Sequence, residues 1–442
     1  MRRTGGKKQK ESQKKPNNTR ERHEDSGEKR LVCYGLQCPK EGKQRKQDLS
    51  LKGMSALFGK SLPELTELVG TLGQKPYRAR QIFEALYKQR VTDFESITSL
   101  SQELREKLTA EHTIGLPEMV QTAVSVDGTE RYLMRMEDGE TVETVWMPDG
   151  DGVENIDDAE EAADARADAK FIDKRNWGAL APLGYRRATI CISSQVGCAV
   201  NCQFCLTAKL GIKRDLTAGE IAGQVAAVLN RHKIQMGKDR INLVFMGMGE
   251  PFLNYDNFMK SVLLLVEGIG IPASRMTVST SGIEPAIRRF AQEPVRPNLA
   301  LSLNGSNDAV REQVMPITRK WNIAKLLDAV STIPLSKRDF VTFEYVMLGG
   351  INDQLVNAHE VLALLKGMHA KVNLIVWNPG PDMPYAQPTP DDVDIFQQTL
   401  IQNGLPCYIR RPRGRDIYAA CGQLKRTVEP EKPSDELVQL TA

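Results

Sequence analysis

Histidine is scarce in this chain, five among 442 residues, and aromatic side chains reach only 6%. A metal enzyme built on several histidines is therefore disfavoured. Long apolar runs are missing as well: stretches such as 261–266 fall far short of the roughly 20 residues of a membrane-spanning helix. The N-terminal segment lacks the apolar stretch of a secretory signal, so a cytoplasmic protein with reduced thiols and no membrane partner is expected. Charge of one sign is lacking too, the formal net being +3. What remains, 41% hydrophobic and 26% charged, is the composition of ordinary globular domains, and the length allows two or three of them. A monomer is expected.

The small net charge conceals a partition. Residues 1–48 hold fifteen Lys and Arg against seven Asp and Glu, whereas 149–168 hold nine Asp and Glu against Arg166 alone. The first block has too few apolar residues to offset the entropy of ordering it, which predicts a basic, disordered extension over 1–60. The second predicts a solvated acidic insertion over 149–183. Cys33 and Cys38 have no further ligands beside them and read as inert.

Periodicity divides the rest. Ser61 with Glu64 three residues on forms a capping box, and Pro63 suits a first helical turn. A second helix after Pro76 places Ile82, Phe83, Leu86 and Tyr87 on one face, and Ser101 caps a third through Leu104 and Leu108. Residues 61–116 are thus a small helical domain. Over 117–148 the turn dipeptides Asp127-Gly128 and Asp138-Gly139 flank strand-like runs, which predicts a β-hairpin extension. From 184 to 425 apolar strands at 188–192, 241–246, 276–279, 299–303, 341–347 and 372–377 alternate with helices. The fold class is therefore α/β, six parallel strands with crossover helices in an open, partial (β/α)6 barrel, its active groups at the strands' carboxyl ends. Residues 426–442 form a tail.

Four of the eight cysteines, Cys191, Cys198, Cys202 and Cys205, fall within fifteen residues. In a chain without an export signal that crowding points to metal binding or catalysis rather than disulfide staples. Three thiolates at spacings of four and three suit a four-iron cluster with one iron left open. A zinc site is the alternative, with Cys191 as fourth ligand. The second strand ends in Met246-Gly247-Met248-Gly249-Glu250-Pro251, where small residues permit close backbone approach and a carboxylate can meet an ammonium group.

A Cys-x3-Cys-x-aromatic-Cys loop after the first strand of such a chain resembles the radical S-adenosylmethionine (SAM) superfamily. The runs 187–198, 246–254, 372–379 and 419–424 together resemble the RlmN/Cfr family of radical SAM methyltransferases, most closely the RlmN branch. The resemblance spans about 61–421 and excludes the extension and the acidic insertion. It implies a 4Fe-4S cluster on Cys198, Cys202 and Cys205, and SAM bound by Gly249, Glu250, Ser279, Ser302, Leu303, Asn304 and Asn378. It also implies methylation of carbon 2 of an adenine in 23S ribosomal RNA, and for RlmN in transfer RNA, with two SAM molecules per turnover. Cys421 matches the thiol that carries the methyl group, Cys191 the thiol that resolves the protein–RNA bridge as a disulfide, and Glu143 the base that removes the ring proton. A low-potential electron donor such as flavodoxin is implied as a partner. Methylation of carbon 8 is the near alternative; a metal-bearing RNA-binding protein without enzymatic activity is the distant one.

One departure stands out. Where the family has Ser-Leu-His, this chain has Ser302-Leu303-Asn304, and Asn bonds but cannot titrate. The acidic insertion must loop outward, since nine carboxylates would repel RNA phosphates. Tyr77, Arg78 and Arg80 are candidates for gripping RNA, whose buried adenine has to be unstacked to react.

Overall fold

A computed structural model describes residues 54–148, 186–336 and 339–424. The expectations placed on the start of the basic extension, on Cys33 and Cys38, on the acidic insertion and on the C-terminal tail lie outside the described residues.

Helix Leu62–Thr71 starts as its capping box requires: the Ser61 N–H donates to the Glu64 carboxylate at 2.7 Å, and Leu65 and Val69 face inward. The second helix, Tyr77–Phe83, continues as a π-helical turn to Gln89 and stops where Arg90 adopts φ 55°. Ile82, Phe83, Leu86 and Tyr87 are all buried on the expected face. A third helix, Gln102–Glu111, buries Leu104 and Leu108. The ends of this segment are tied by a short parallel pair, β1 (Ser55–Ala56) with β2 (His112–Thr113). Leu57 and Phe58 are buried beside it, so these residues already belong to the folded body. The boundary drawn at residue 60 was too late, because one apolar dipeptide in a polar stretch is enough to anchor it.

Next comes a meander of β3 (Glu118–Val124), β4 (Glu130–Arg135) and β5 (Thr141–Pro148), with Gly128 and Gly139 at positive φ in its turns. The hairpin expected from the sequence thus gains a third strand. Then follow β6 (Arg187–Cys191), a small antiparallel pair β7 (Gln195–Gly197) and β8 (Ile212–Asp215), then β9 (Arg240–Phe245), β10 (Met276–Thr280), β11 (Asn298–Ser302), β12 (Val341–Met347), β13 (Ala370–Val376) and β14 (Cys407–Arg410). The large sheet runs β14-β13-β12-β11-β10-β9-β6-β5-β4-β3. Strands β6 and β9 to β13 are the six expected parallel strands, β14 extends them by one, and β5 joins β6 antiparallel. Crossover helices cover the outer face. Helix Ala218–Arg231, capped by Thr217 and Glu220, buries Ile221, Ala222, Val225 and Leu229 there.

The helical segment is braced against this sheet by matched polar pairs. Lys260 Nζ meets Glu64 at 2.7 Å, and Arg90 donates to Asn230 and to the Ile234 carbonyl; within the segment itself the Tyr87 hydroxyl bridges the Gly59 N–H and the Lys60 carbonyl.

Candidate functional site

Sheet register selects one face. Val145 lies opposite Cys191, so Glu143, two residues along β5, shares the Cys191 face. Following the ladder across, Ser279, Ser302, Glu344, Asn373 and Arg410 fall on that same face of β10 to β14. Side-chain contacts agree: Ser279 and Ser302 hydroxyls stand 3.3 Å apart, and Glu344 Oε1 accepts from Asn373 at 3.0 Å and Arg410 at 3.4 Å. The face is a polar stripe at the carboxyl end of an otherwise apolar sheet.

The loop bearing Cys198, Cys202 and Cys205 turns at Asn201 (φ 61°) and is pinned by Gln203 N–H to the Val314 carbonyl. Burial pushes the Cys198 thiol up to about 12 and raises those of Cys202 and Cys205; mutual repulsion adds to it at Cys198 and Cys202. Arg311 lies fully buried beside them, held by the carbonyls of Leu303, Ser281 and Ser302 and by Thr318, with burial lowering its pKa to about 10. Among the described residues no three His, Cys, Asp or Glu gather round one point as ligands of a single ion. Cys191 is the last residue of β6 and lies outside the loop that carries the triplet.

The glycine turn after β9 packs where the sequence suggested open access. At Gly249, with φ 99°, a Cβ would lie 2.5 Å from Gln195, and at Gly247 one would lie 2.7 Å from the Ser193 hydroxyl. Close approach here is to the segment leading into the cysteine loop. Glu250 is held to it by its N–H, which donates to Gln195, and its carboxylate accepts from Phe252 N–H and Ser281 N–H, while burial raises its pKa. Ser193 in turn joins the Glu143 carbonyl to Met248 N–H.

Glu143 is buried and pairs with buried Arg131 at 3.3 Å. Cys421 follows a loop clasped from two sides. Gly422 accepts from Leu206 just past the cysteine loop, and Asn378 donates to the Cys421 carbonyl while accepting from Arg415. Cys191 and Cys421 are free thiols, Cys191 buried and Cys421 at an exposed position; burial pushes Cys191 up to about 12, and enclosure of its sulfur raises Cys421. A disulfide between them is not supported; all six described cysteines are free. Of the expected cofactor contacts, Leu303 is buried with N–H bonded to the Glu344 carbonyl and its own carbonyl to Arg311. Asn304, at φ 51°, accepts from Val346 N–H and contacts the Met315 sulfur, locking β11 to β12. Arg78 stacks on exposed Tyr77 and bonds Gln81 and Ser99, at the surface of the helical segment. Sequence reasoning missed Arg131, Arg311, Glu344 and Arg410: Glu344 is a single charge inside an apolar run, and each of the three arginines has another charged residue beside it, so none stands out.

Residues 55–114 match the ribosomal RNA large subunit methyltransferase N-terminal domain, and 192–362 match the radical SAM superfamily. A partial barrel with the cysteine loop after its first parallel strand makes this a radical SAM enzyme. It is 54% identical over 80% of its length to a probable dual-specificity RNA methyltransferase RlmN of Koribacter versatilis, covering 97% of that relative. The Lawsonia intracellularis dual-specificity RNA methyltransferase RlmN is 40% identical over 85% of this chain and 97% of its own. A radical SAM methyltransferase structure from Sphaerobacter thermophilus superposes with TM-score 0.72 at 38% identity, over 84% of this chain and all of that one. The chain belongs to the RlmN family of radical SAM RNA methyltransferases. Its cofactors are those of the superfamily, a 4Fe-4S cluster and SAM. The site fits them: three desolvated, mutually repelling thiols beside a buried guanidinium suit a polynuclear iron core, which replaces their protons. Among the described residues no helix is long and apolar enough to cross a membrane.

Proposed function

We propose that this enzyme methylates carbon 2 of an adenine in 23S ribosomal RNA, and in transfer RNA as well, its relatives being named dual-specificity RNA methyltransferases. The observation that carries the reading is that two free thiols stand outside the loop triplet, Cys191 at the end of β6 and Cys421 in a loop clasped by Leu206 and Asn378. A metal-bearing binding module needs neither of them.

Cys198, Cys202 and Cys205 hold the cluster, and Gly249, Glu250, Ser279, Ser302, Leu303, Asn304 and Asn378 line the SAM site. Leu303 and Asn304 bound the site through strand geometry, their polar groups being engaged within the fold. Together the cofactors supply a methyl group and a 5′-deoxyadenosyl radical. The Cys421 thiolate accepts the methyl group, so an S–C bond forms as the sulfonium C–S bond breaks. A hydrogen atom of that methyl passes to the deoxyadenosyl radical, leaving a carbon radical that adds to the adenine ring. The adduct gives back the one electron that radical formation consumed, and Glu143, aligned by Arg131, removes the ring proton. Cys191 then attacks the Cys421 sulfur; the S–CH2 bond breaks toward the base, whose carbon takes up a proton to become the methyl group, and a disulfide is left for reduction. The chain works as a cytoplasmic monomer with a low-potential one-electron donor such as flavodoxin.

The test is base analysis of ribosomal and transfer RNA from a deletion strain, complemented with this gene. Loss of 2-methyladenine that the gene restores supports the reading. Loss of 8-methyladenine instead assigns the other carbon, and unchanged methyladenine in both RNA classes overturns the assignment.

A further inference from the structure

Glu344 has no part in that chemistry, yet it is a carboxylate on β12 with 4% exposure. Its Oε1 is shared by Asn373 and Arg410. Its Oε2 is buried and accepts no hydrogen bond from any described residue. A buried carboxylate oxygen without a donor bears its full desolvation cost, so native structures seldom leave one unless a ligand or water completes it.

The neighbours say what kind of donor fits. Ser302 is the register partner of Glu344, and Ser279 lies 3.3 Å from Ser302 on the next strand. Three adjacent strands thus present hydroxyl, hydroxyl and carboxylate in a row. Arg410 already balances the carboxylate's charge, so a second cation gains little there. A neutral hydroxyl donor, by contrast, gains a charge-assisted bond. Glu250 differs: among the described residues no Lys or Arg pairs with it, which suits an ammonium group.

We propose that Glu344 Oε2 accepts a hydrogen bond from a ribose hydroxyl of an adenosine lying on this face of the sheet. The inference rests on the reading of the chain as a SAM-dependent RNA methyltransferase, and both SAM and the RNA substrate carry an adenosine.

The experiment measures binding to the full-length, cluster-loaded protein and to its Glu344→Ala and Glu344→Gln variants. One arm uses S-adenosylhomocysteine and its 2′-deoxy and 3′-deoxy analogues in equilibrium dialysis. The other uses a short RNA hairpin with adenosine or 2′-deoxyadenosine at the target position. Wild type is expected to prefer the hydroxyl-bearing ligand by about 10- to 100-fold in one arm. Glu344→Ala should erase that preference. Glu344→Gln, which keeps an acceptor toward Asn373 and Arg410, should reduce it by about tenfold with an unchanged melting temperature. A preference lost in the first arm assigns the cofactor's ribose, and in the second the RNA's. If wild type and variants show the same preference in both arms, the inference is overturned. Wild type that binds neither S-adenosylhomocysteine nor RNA would instead defeat the underlying functional reading.

Discussion

The seam between helical segment and sheet, and the inner face of that sheet, both carry polar groups out of water, and they treat them differently. At the seam Glu64 and Arg90 each meet a named partner across the junction. On the inner face Glu344 Oε2 is buried without one, and burial raises the thiols of Cys191, Cys198 and Cys202 above their ordinary range. Satisfied polar pairs hold two bodies together; unsatisfied ones mark where something else binds. Substitutions on the inner face should therefore alter chemistry at little cost to folding, and those at the seam the reverse.

The largest expected effect is at Cys421. Cys421→Ala should abolish methylation while about four irons per chain and reductive SAM cleavage survive, measured by iron analysis and by 5′-deoxyadenosine release. Retained methylation would remove the methyl-carrying thiol from the mechanism. Cys191→Ala should also stop turnover, but with protein accumulating covalently on RNA, because the bridge then lacks a thiol to open it. Next is Glu143→Gln, expected to slow the methylation step about 10²- to 10⁴-fold. Gln still accepts from Arg131, so the melting temperature should stay close to wild type. A large drop in melting temperature with an unchanged rate would move Glu143 to the structural side of the comparison.

Gly249→Ala tests the boundary between the two regions. The residue sits at φ 99° and a Cβ would meet Gln195 at 2.5 Å. The strain is about 1–3 kcal/mol. Both the melting temperature and S-adenosylhomocysteine affinity should fall together, since Glu250 follows directly. A variant that loses affinity alone would make the turn a pure ligand contact, as the bare sequence had suggested.

How far this was legible in the sequence follows the same division. Local signals transferred well. The Ser61–Glu64 capping box, the helical face through Tyr87, the Asp-Gly turns and the six long apolar strands all stand where pattern placed them, because each is decided within a few residues. β14 was missed: it is four residues long and ends in an arginine run. β3 was missed because its burial barely alternates. The cysteine loop was legible from spacing alone. The polar stripe was not: Glu344 reads as one charge inside Val341–Met347, and only register across seven strands brings it into line with Cys191 and Arg410. Asn304 shows the limit of motif transfer. It sits at a position the motif assigns to the cofactor, and its side chain is spent on Val346.

The smallest effect belongs to the seam. Burial acts to raise the Glu64 pKa, but Lys260 and the Ser61 N–H and hydroxyl outweigh it and hold the group at about 2, against 4.5 when free. A depressed pKa stabilises the folded state above the free value, and that stabilisation drains away as pH falls from about 4.5 toward about 2. The side chains of Lys260 and Glu64 are 37% and 43% exposed, so solvent screens the pair and its worth is below about 1 kcal/mol. Denaturant midpoints measured from pH 7 to pH 3 should thus fall slightly more steeply for wild type than for Glu64→Gln, and added salt should narrow the gap. Methylation at neutral pH should be equal in the two proteins. Identical pH slopes would mean that apolar packing around Phe58 and Tyr87 carries the seam, and that its ion pair only fills space left by that packing.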